Sequence, residues 1–338
     1  MNITAFTICS TNYFAHARVL AKSWLQHHSD TSFYVFLVDE LHAGVNYRFD
    51  ERVVVIPIAD VNIPTFDTLV QQYNIVELNT AVKPDVFFYL FERKGCQKVV
   101  YLDPDIKVYD RFDELSSALD QYSIIVTPHF TTPIDDGEST TDFRMLGSGL
   151  FNLGFIALSR IDAVRPFLTW WRDRLYKYCY YDLTRGMFYD QVWCNYVTVF
   201  FENYFILKDP GYNMANWNFH ERRLSKTGSG NFRVNEKYPL YFFHFSGFRF
   251  EEPLKFSRYH SRYTFASRPD LREIYEDYHT DLGDNEAASL AKIPCVYYER
   301  HKQYKTKEQE QAYRQLTWRA KATLWLTARA RTLYARIK

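Results

Sequence analysis

Two aspartates, Asp103 and Asp105, follow a run of apolar residues in the segment VVYLDPDIKVYD at 99–110. The apolar run predicts a buried strand. Both carboxylates are therefore expected at a strand end, where losing water is costly unless a cation compensates. A hard divalent cation binds carboxylate oxygens and bridges nucleotide phosphate oxygens at the same time. Asp-Pro-Asp is also ordinary turn chemistry, so the spacing alone leaves both a metal site and a plain turn open.

The elements that must position these carboxylates alternate between strand and helix. Strands are predicted at 3–8, 33–38, 53–58 and 98–102, and helices at about 13–28 and at about 64–94 with a break near Pro84. This alternation predicts an α/β fold with parallel strands and helices on both faces of the sheet. In such sheets ligands bind beyond the carboxyl ends of the strands. Residues 9–13, Asp39 and 103–105 are therefore expected on one rim.

The second half of the chain is less regular. Residues 127–147 are polar and rich in Thr, Pro and acids, which is typical of either a mobile loop near the site or a surface loop without a role. A strand is predicted at 151–158, and helices at 162–178, at 189–200 and from about 270 onwards.

Composition excludes several classes of protein. The 338 residues are 47% hydrophobic and carry 41 Lys plus Arg against 40 acids, a net charge of +1 that argues against nucleic acid as the main partner. The five cysteines include no C-x-x-C pair, which favours a reducing compartment over a disulfide framework or a zinc site. We see no secretory signal and no uncharged run near the ~20 residues of a membrane span, so a cytoplasmic protein is expected.

Several segments, taken in order, resemble the GT-A fold glycosyltransferases, closest to the family 8 type. They are the opening strand, turn and helix at 3–28, YLDPDI at 101–106, FNLGFIAL at 151–158, DQVWCN at 190–195, NMANWN at 213–218 and HFSG at 244–247. The resemblance implies a Rossmann-like nucleotide-diphospho-sugar transferase domain over 1–268, with a mostly parallel central sheet. A C-terminal helical extension would occupy 269–338.

The resemblance also implies a metal site. Asp103 and Asp105 would ligate the cation, and His244 would complete the protein ligands. A histidine beside two carboxylates suits Mn²⁺ better than Mg²⁺, which prefers oxygen ligands. Gly247 would let the backbone approach the diphosphate closely.

Donor-binding residues follow from the same resemblance. The turn Ser10, Thr11, Asn12 and Tyr13 would receive the base, with Tyr13 stacking on it or Asn12 hydrogen-bonding near it. The family often carries acids at the positions of Ser10 and Thr11, so the base is less defined here, and UDP is favoured. Lys83 would face the donor phosphates or sugar, or lie as a solvated lysine on a helix face. Asn152 and Gly154 would line the sugar pocket, although Gly154 also fits a β-bulge.

The expected reaction transfers a hexose or related sugar to a glycan or lipid-linked acceptor with retention of configuration. The departing diphosphate would take the acceptor proton. Gln191 would face the sugar opposite the leaving group, and Asp190 would orient the donor hydroxyls. The alternatives are an inverting enzyme with Asp190 as general base, and an inactive scaffold or binding domain. A nucleotidyltransferase is disfavoured, because CSTNY at 9–13 lacks the glycines of a phosphate-binding loop.

One departure from the family follows the H-x-x-G element. Family members usually continue with a basic residue, Pro and an aromatic that contact phosphate, whereas this chain reads HFSGFRFEEPLKFSRYHSRY with Arg249 as the nearest cation. The stretch resembles the ends of bacterial glycosyltransferases of surface polysaccharide assembly.

The C-terminal residues 311–338 contain no acid and several Arg and Lys residues. On a helix their apolar residues gather on one face, with Trp318 and Trp325 at its margin. A basic amphipathic helix with tryptophans is typical of binding to an anionic membrane surface. The alternative is that this face packs on the protein's own body or on another subunit.

Overall fold

The computed structural model describes residues 3–138 and 140–315. Its strands are β1 Thr4–Cys9, β2 Phe33–Leu37, β3 Val53–Pro57, β4 Lys98–Leu102, β5 Ile106–Val108, β6 Ile124–Pro128, β7 Phe151–Ser159, β8 Tyr181–Asp182, β9 Met187–Phe188, β10 Tyr204–Ile206, β11 Leu224–Lys226, β12 Phe232–Val234, β13 Tyr238–Pro239 and β14 Phe242–His244. The helices are α1 Phe14–His27, α2 Phe66–Gln72, α3 Ile75–Ala81, α4 Lys83–Phe88, α5 Asp113–Gln121, α6 Asp142–Ser148, α7 Ile161–Tyr178, α8 Gln191–Cys194, α9 Val197–Phe200, α10 Arg272–Asp284, α11 Ala287–Leu290 and α12 Val296–Gln315.

The central sheet has seven strands in the order β10-β6-β7-β4-β1-β2-β3. Neighbouring strands are parallel except at β7, which runs antiparallel to both β4 and β6. The α/β class and the mostly parallel sheet that the sequence predicts are therefore confirmed. The direction of β7 was not predicted, because all nine of its residues are buried and leave no alternation to read.

Both faces of this sheet are covered by apolar clusters, as expected for parallel strands buried between helices. Along β1, Ala5 and Cys9 belong to one cluster, whereas Phe6 and Ile8 belong to the other. Helix α1 packs on the first face and buries ten of its fourteen residues, including Trp24. Helices α4 and α7 supply residues to the second cluster. The sheet edge that carries the site is thus held from both sides.

Two predicted segments differ from the structure. The polar loop at 127–147 contains the start of α6, whose N-cap Thr141 accepts a hydrogen bond from Arg144 N at 3.3 Å. Upstream of α6, Glu221 fixes the loop by accepting bonds from Thr131 N and Thr132 N at 2.9 and 2.7 Å. The helix predicted at 189–200 is split into α8 and α9, and between them the side chain of Asn195 accepts a bond from Leu150 N at 2.8 Å.

The C-terminal helices contact the sheet domain through polar side chains. Arg18 of α1 pairs with Glu286 at 2.6 Å, and Lys107 of β5 pairs with Asp281 at 2.5 Å. Asp39, at the end of β2, accepts bonds from Thr11 N at 3.3 Å and from Val296 N, the first residue of α12, at 2.8 Å. The division into 1–268 and 269–338 stays a prediction.

The amphipathic helix predicted at 311–338 lies almost entirely outside the described residues, since only 311–315 belong to α12 as described. Within the described part of the chain, no helix combines the length and the apolar character that crossing a membrane requires.

Candidate functional site

The site starts where β4 ends. After Leu102 the chain turns through Asp103, Pro104 and Asp105, with Ile106 N donating to Asp103 O at 3.1 Å. The turn leads into β5, which pairs antiparallel with β14 so that Ile106 faces His244. The turn and the metal-site interpretations therefore do not exclude each other, because the turn itself carries both carboxylates to the histidine.

The side chains of Asp103, Asp105 and His244 form a compact cluster. One possible ligand atom from each lies within 4.8 Å of the others. His244 Nε2 is 3.1 Å from Asp105 Oδ1 and 3.7 Å from Asp103 Oδ2. Burial alone would lower the pKa of His244, but Asp105 and then Asp103 raise it above its ordinary value. The carboxylates thus favour a positive charge at this point, which either a proton or a metal cation can supply.

Asn213 orients the imidazole of His244. Its Nδ2 donates to Asn152 Oδ1 at 3.1 Å, which leaves its Oδ1 to accept from His244 Nδ1 at 3.3 Å. With a proton on Nδ1, Nε2 is the ring nitrogen that faces the two aspartates, where it can carry either a second proton or a metal cation. A metal-binding histidine needs this arrangement, in which the second ring nitrogen is held by a hydrogen-bond acceptor.

Gly154 leaves the space that this cluster occupies. A Cβ atom at this position would lie 2.5 Å from His244 Cε1, 2.8 Å from Asp103 Oδ2 and 2.9 Å from Asn152 Oδ1. Its carbonyl oxygen also accepts a bond from Asp103 N at 2.8 Å. Gly154 is therefore required by close contact with the acidic cluster. It also lies between Phe151 and Ile156 of β7, where the pairing with β6 shifts its register, so the β-bulge alternative stays open beside this role.

Lys83 and Asp190 form a buried ion pair beside the cluster. Lys83 Nζ lies 2.8 Å from Asp190 Oδ2, 3.0 Å from Leu153 O and 4.0 Å from Asp103 Oδ1. Both side chains are at most 5% exposed, so Lys83 is not a solvated lysine on a helix face. Burial raises the pKa of Asp190, with Lys83 opposing it; burial lowers the pKa of Lys83, but Asp190 and Asp103 raise it above its usual value. The lysine therefore stays charged between two acids.

Tyr101 adds a second restraint on Asp103. Its hydroxyl donates to Asp103 Oδ1 at 2.5 Å, and its ring lies 4.3 Å from Lys83 Nζ. Only Oδ2 of this carboxylate then faces His244, so its orientation is set from both sides.

Gln191 lies next to Asp190 at the start of α8. Its Nε2 donates to Ser148 O at 2.5 Å, and its Oε1 accepts a long bond of 3.5 Å from Leu153 N. The amide nitrogen of Gln191 is therefore bonded to the last residue of α6, whereas its amide oxygen forms the weaker hydrogen bond of the two.

A cavity of about 670 Å³ joins these groups. The predicted site residues that line it are Lys83, Asp103, Asn152, Gly154, Asp190, Gln191 and His244. The remaining predicted residues are outside its lining: Ser10, Thr11, Asn12, Tyr13, Asp105 and Gly247.

The turn at 10–13 is nevertheless close to the acidic cluster. Burial raises the pKa of Tyr13, and Asp105 and Asp103 raise it further. The Tyr13 ring stacks on His16 at 3.8 Å, while Ser10 Oγ donates to Asn12 Oδ1 at 2.7 Å. The turn therefore lies beside the cluster, with part of its polar surface already used within the protein.

Gly247 follows His244 in a left-handed turn with φ of +73°. A Cβ here would lie 2.5 Å from Ser257 Oγ and 2.6 Å from the ring of Tyr259. The glycine thus permits the segment around Arg258 to approach β14.

Sequence reasoning assigned no role to several residues of the cavity or its support. They are Tyr101, His129, Arg144, Asn213, Trp217, Arg258 and Tyr259. Trp217 and His129 are buried, and the ring of Trp217 meets the rings of His129 and His244 edge-on at 5.4 and 5.2 Å. The asparagines of NMANWN at 213–218 were the sequence feature that could have indicated a role for Asn213. Polar side chains within an aromatic segment are expected to be buried, and buried polar groups need hydrogen-bond partners.

Comparison with known proteins gives distant similarities. No protein-family model matches the chain. The uncharacterized protein YfnF of Bacillus subtilis (strain 168) is 25% identical over 281 residues, which cover 80% of this chain and 89% of YfnF. The solved galactosyltransferase LgtC, in complex with donor and acceptor sugar analogues, is 19% identical and aligns over 86% of this chain and 97% of its own, with a TM-score of 0.47. The glycosyltransferase GlyE of Streptococcus pneumoniae TIGR4 is 16% identical over 87% of this chain and 66% of its own, with a TM-score of 0.48.

Proposed function

We propose that this chain is a metal-dependent glycosyltransferase of the GT-A type that uses a nucleotide diphosphate sugar, with UDP as the favoured nucleotide. The observation that carries the proposal is the convergence of Asp103, Asp105 and His244, within 4.8 Å of one another, beside a cavity that also takes Lys83 and Asp190. The motifs that resemble family 8 glycosyltransferases contribute most of these residues. Two carboxylates and a neutral imidazole suit a divalent cation, for which Mn²⁺ is the first choice and Mg²⁺ the second.

The residues fit such a cation on three grounds. Asn213 holds the tautomer of His244 that presents Nε2 to the aspartates. Gly154 keeps the space beside the carboxylates free of a side chain. Tyr101 fixes one oxygen of Asp103 and leaves the other towards the cluster. When bound, the cation would stabilise the negative charge on the departing diphosphate.

Retention of configuration is favoured by the environment of Asp190. A general base needs a carboxylate oxygen free to accept the proton of the acceptor hydroxyl. One oxygen of Asp190 is held by Lys83 at 2.8 Å, and the side chain is 5% exposed. In the proposed reaction Lys83 keeps Asp190 ionised and oriented towards the donor sugar hydroxyls. Gln191 then lines the opposite face of the sugar with its weakly bound oxygen, and the leaving diphosphate takes the acceptor proton.

The inverting enzyme with Asp190 as base and the inactive binding domain are separated from this proposal by product analysis. Retention predicts that NMR finds the donor's anomeric configuration in the product, whereas an inverted product would promote Asp190 to general base. A binding domain would bind nucleotide without turnover.

The decisive experiment measures hydrolysis and transfer from UDP-, GDP- and other nucleotide sugars, with and without Mn²⁺. Asp103→Ala or Asp105→Ala should abolish turnover without changing the melting temperature. Asp113→Ala is the control, because Asp113 is an exposed acid that follows the same segment, with 72% of its side chain exposed. Wild-type activity in either cluster variant would refute the metal site. His244→Ala should shift the Mn²⁺ titration midpoint upwards, and an unchanged midpoint would remove His244 from the ligands.

The acceptor is proposed to be a glycan or a lipid-linked glycan at the cytoplasmic face of a membrane. The basic residues of 311–338 support the membrane part of this proposal. Sedimentation with anionic vesicles tests it: binding by the full chain at low salt, lost on removal of 311–338, is the expected result. Equal binding by the shortened chain would refute it.

A further inference from the structure

Three Lys and Arg side chains of the described residues line the cavity: Lys83, Arg144 and Arg258. Lys83 is already committed to Asp190 and Asp103. Arg258 differs from Lys83, since its guanidinium forms no ion pair with any carboxylate in 3–138 or 140–315. Its carbon Cζ lies instead 4.6 Å from the centre of the Tyr259 ring. Arg258 thus offers its donors to the cavity.

Arg258 lies on the side of the cavity where the acidic cluster meets the turn at 10–13. Its backbone N donates to the carbonyl oxygen of Gly247, which follows Ser246 and comes three residues after His244, and both Ser246 and His244 line the cavity with Arg258. The charges around Tyr13 agree with this position. Burial and Asp105 raise the pKa of the Tyr13 hydroxyl well above its usual value, and the positive charge of Arg258 partly opposes this increase.

The backbone that carries Arg258 is fixed, although the side chain is exposed. Phe256 and Ser257, directly before it, are 3% and 4% exposed. Arg258 N donates to Gly247 O at 3.0 Å. The absence of a Cβ at Gly247 permits this contact, because a Cβ would lie 2.5 Å from Ser257 Oγ. An arginine on such a support loses less freedom on binding than one on a free loop.

The cation that follows the H-x-x-G element more closely in the sequence is differently placed. Arg249 lies outside the cavity lining, has 51% of its side chain exposed and lies 3.7 Å from Glu252. Arg249 is thus the cation nearest to the H-x-x-G element in the sequence, whereas Arg258 is the one that lines the cavity.

The balance of charges at the site indicates what Arg258 would bind. Among the described residues, the ion pairs of Asp103, Asp105 and Asp190 are formed with Lys83 and His244. A divalent metal would balance these acids, but a diphosphate would bring further negative charge to the solvent side of the site. A planar guanidinium binds phosphate oxygens through two parallel hydrogen bonds.

We infer that Arg258, held in place by Gly247, binds the diphosphate of the donor and of the nucleoside diphosphate product. The inference rests on the proposed function and adds a binding residue that the sequence motifs do not identify. It also gives Gly247 a different task, which is to support Arg258 and not to approach the diphosphate itself.

Calorimetric titration of UDP and GDP in the presence of Mn²⁺ tests the inference. Arg258→Gln should weaken the binding of the tighter nucleotide by roughly ten- to hundredfold, the range of a hydrogen bond between charged groups. Arg249→Gln, the matched control, should change it less than about twofold. Titration with the corresponding nucleoside, which lacks phosphate, should give the same result for wild type and Arg258→Gln. Equal diphosphate affinity of wild type and Arg258→Gln would overturn the inference while leaving the proposed function intact. Failure of the wild type to bind either diphosphate would overturn both.

A double-mutant cycle tests the link to Gly247. If Gly247 acts through Arg258, then Gly247→Ala weakens diphosphate binding, and adding Gly247→Ala to Arg258→Gln causes little further loss. Additive losses would show that Gly247 contacts the diphosphate independently and would overturn the supporting role. Thermal melting of each variant separates weak binding from unfolding.

Discussion

The two ends of the cavity are built in opposite ways. At the end that carries the acidic cluster, His244, Lys83 and Asp190 are 2%, 3% and 4% exposed, and hydrogen bonds to neighbouring side chains hold all three. At the other end, α6 and the β8–β9 hairpin present apolar side chains to solvent, with Phe143 and Tyr181 82% and 51% exposed.

This difference separates two tasks. A site that holds a cation and a diphosphate needs groups fixed before the ligand arrives, since charge stabilisation depends on preorganised partners. A surface of exposed aromatic and aliphatic side chains can adapt to the apolar faces of different sugars. We therefore expect substitutions at the first end to remove function outright and those at the second to change acceptor preference.

The largest effect is expected on stability, from Lys83→Met. The substitution leaves Asp190 buried without its partner, which should lower the free energy of unfolding by about 3–5 kcal/mol in urea titrations. Asp190→Asn in the same chain should restore most of that loss without restoring activity. Lys98→Met is the control, because buried Lys98 pairs with Asp120, whose side chain is 69% exposed and can return to water. Similar losses of unfolding free energy in Lys83→Met and Lys98→Met would contradict the claim that the cost comes from leaving a buried carboxylate without its partner.

Gly154→Ala should abolish metal binding and lower turnover at least about a hundredfold, because a new Cβ displaces ligand side chains by an appreciable fraction of 1 Å. Gly147→Ala is the matched control within α6, since the nearest neighbour of its Cβ would be Leu183 Cδ2, at the ordinary van der Waals distance of 3.8 Å. Mn²⁺ titration by calorimetry, together with activity, gives the readout. A Gly154→Ala protein with normal metal affinity would show that the cluster tolerates movement.

Asn213→Gly should weaken Mn²⁺ binding about ten- to a hundredfold, the usual cost of removing the group that orients a ligating histidine. Glycine is chosen because Asn213 has φ of +57°, so that the change removes the amide without backbone strain. Asn235→Gly is the control, with φ of +51° and a side chain that bonds Glu221 O and Arg223 N away from the cavity. An unchanged metal affinity in Asn213→Gly would show that a group other than Asn213 orients the imidazole of His244.

The smallest effect is expected from Tyr181→Ala in the hairpin. It should raise the acceptor KM a few-fold and leave donor hydrolysis unchanged, in keeping with a loss of about 0.5–1.5 kcal/mol for one aromatic contact. Tyr196→Ala, at an exposed tyrosine outside the cavity lining, is the control. A change in donor hydrolysis in Tyr181→Ala would mean that the two ends are not independent.

The sequence was most informative for the strands, whose pattern is set by neighbouring residues. The predicted strands at 3–8, 33–38, 53–58, 98–102 and 151–158 each differ from the structure by no more than one residue at either end. Residues 101–106 pointed to the acidic cluster because the apolar strand and its two aspartates are contiguous. Local pattern is enough in such cases.

Contacts between distant residues could not be predicted in the same way. Lys83 and Asp190 are 107 positions apart, and nothing near either residue indicates the other. Arg258 was missed because distance along the chain favoured Arg249, whereas the glycine contact behind β14 decides which arginine reaches the cavity. Helix α6 is different, since Thr141 followed by Asp142 is a recognisable N-terminal signal that was overlooked within a polar segment.

Two of the hydrogen bonds that Asp39 accepts, from Thr11 N and Val296 N, have a consequence for building chimeric proteins. One carboxylate joins the turn after β1 to the first residue of α12, so residues 285 positions apart share a single acceptor group. A crossover placed between the sheet domain and the C-terminal helices of a relative would have to bring a matching helix start, or Asp39 would lose one of its donors. Exchange of the C-terminal helices and exchange of the segment 11–39 are therefore not independent choices, and a library that recombines this chain should inherit both from the same parent.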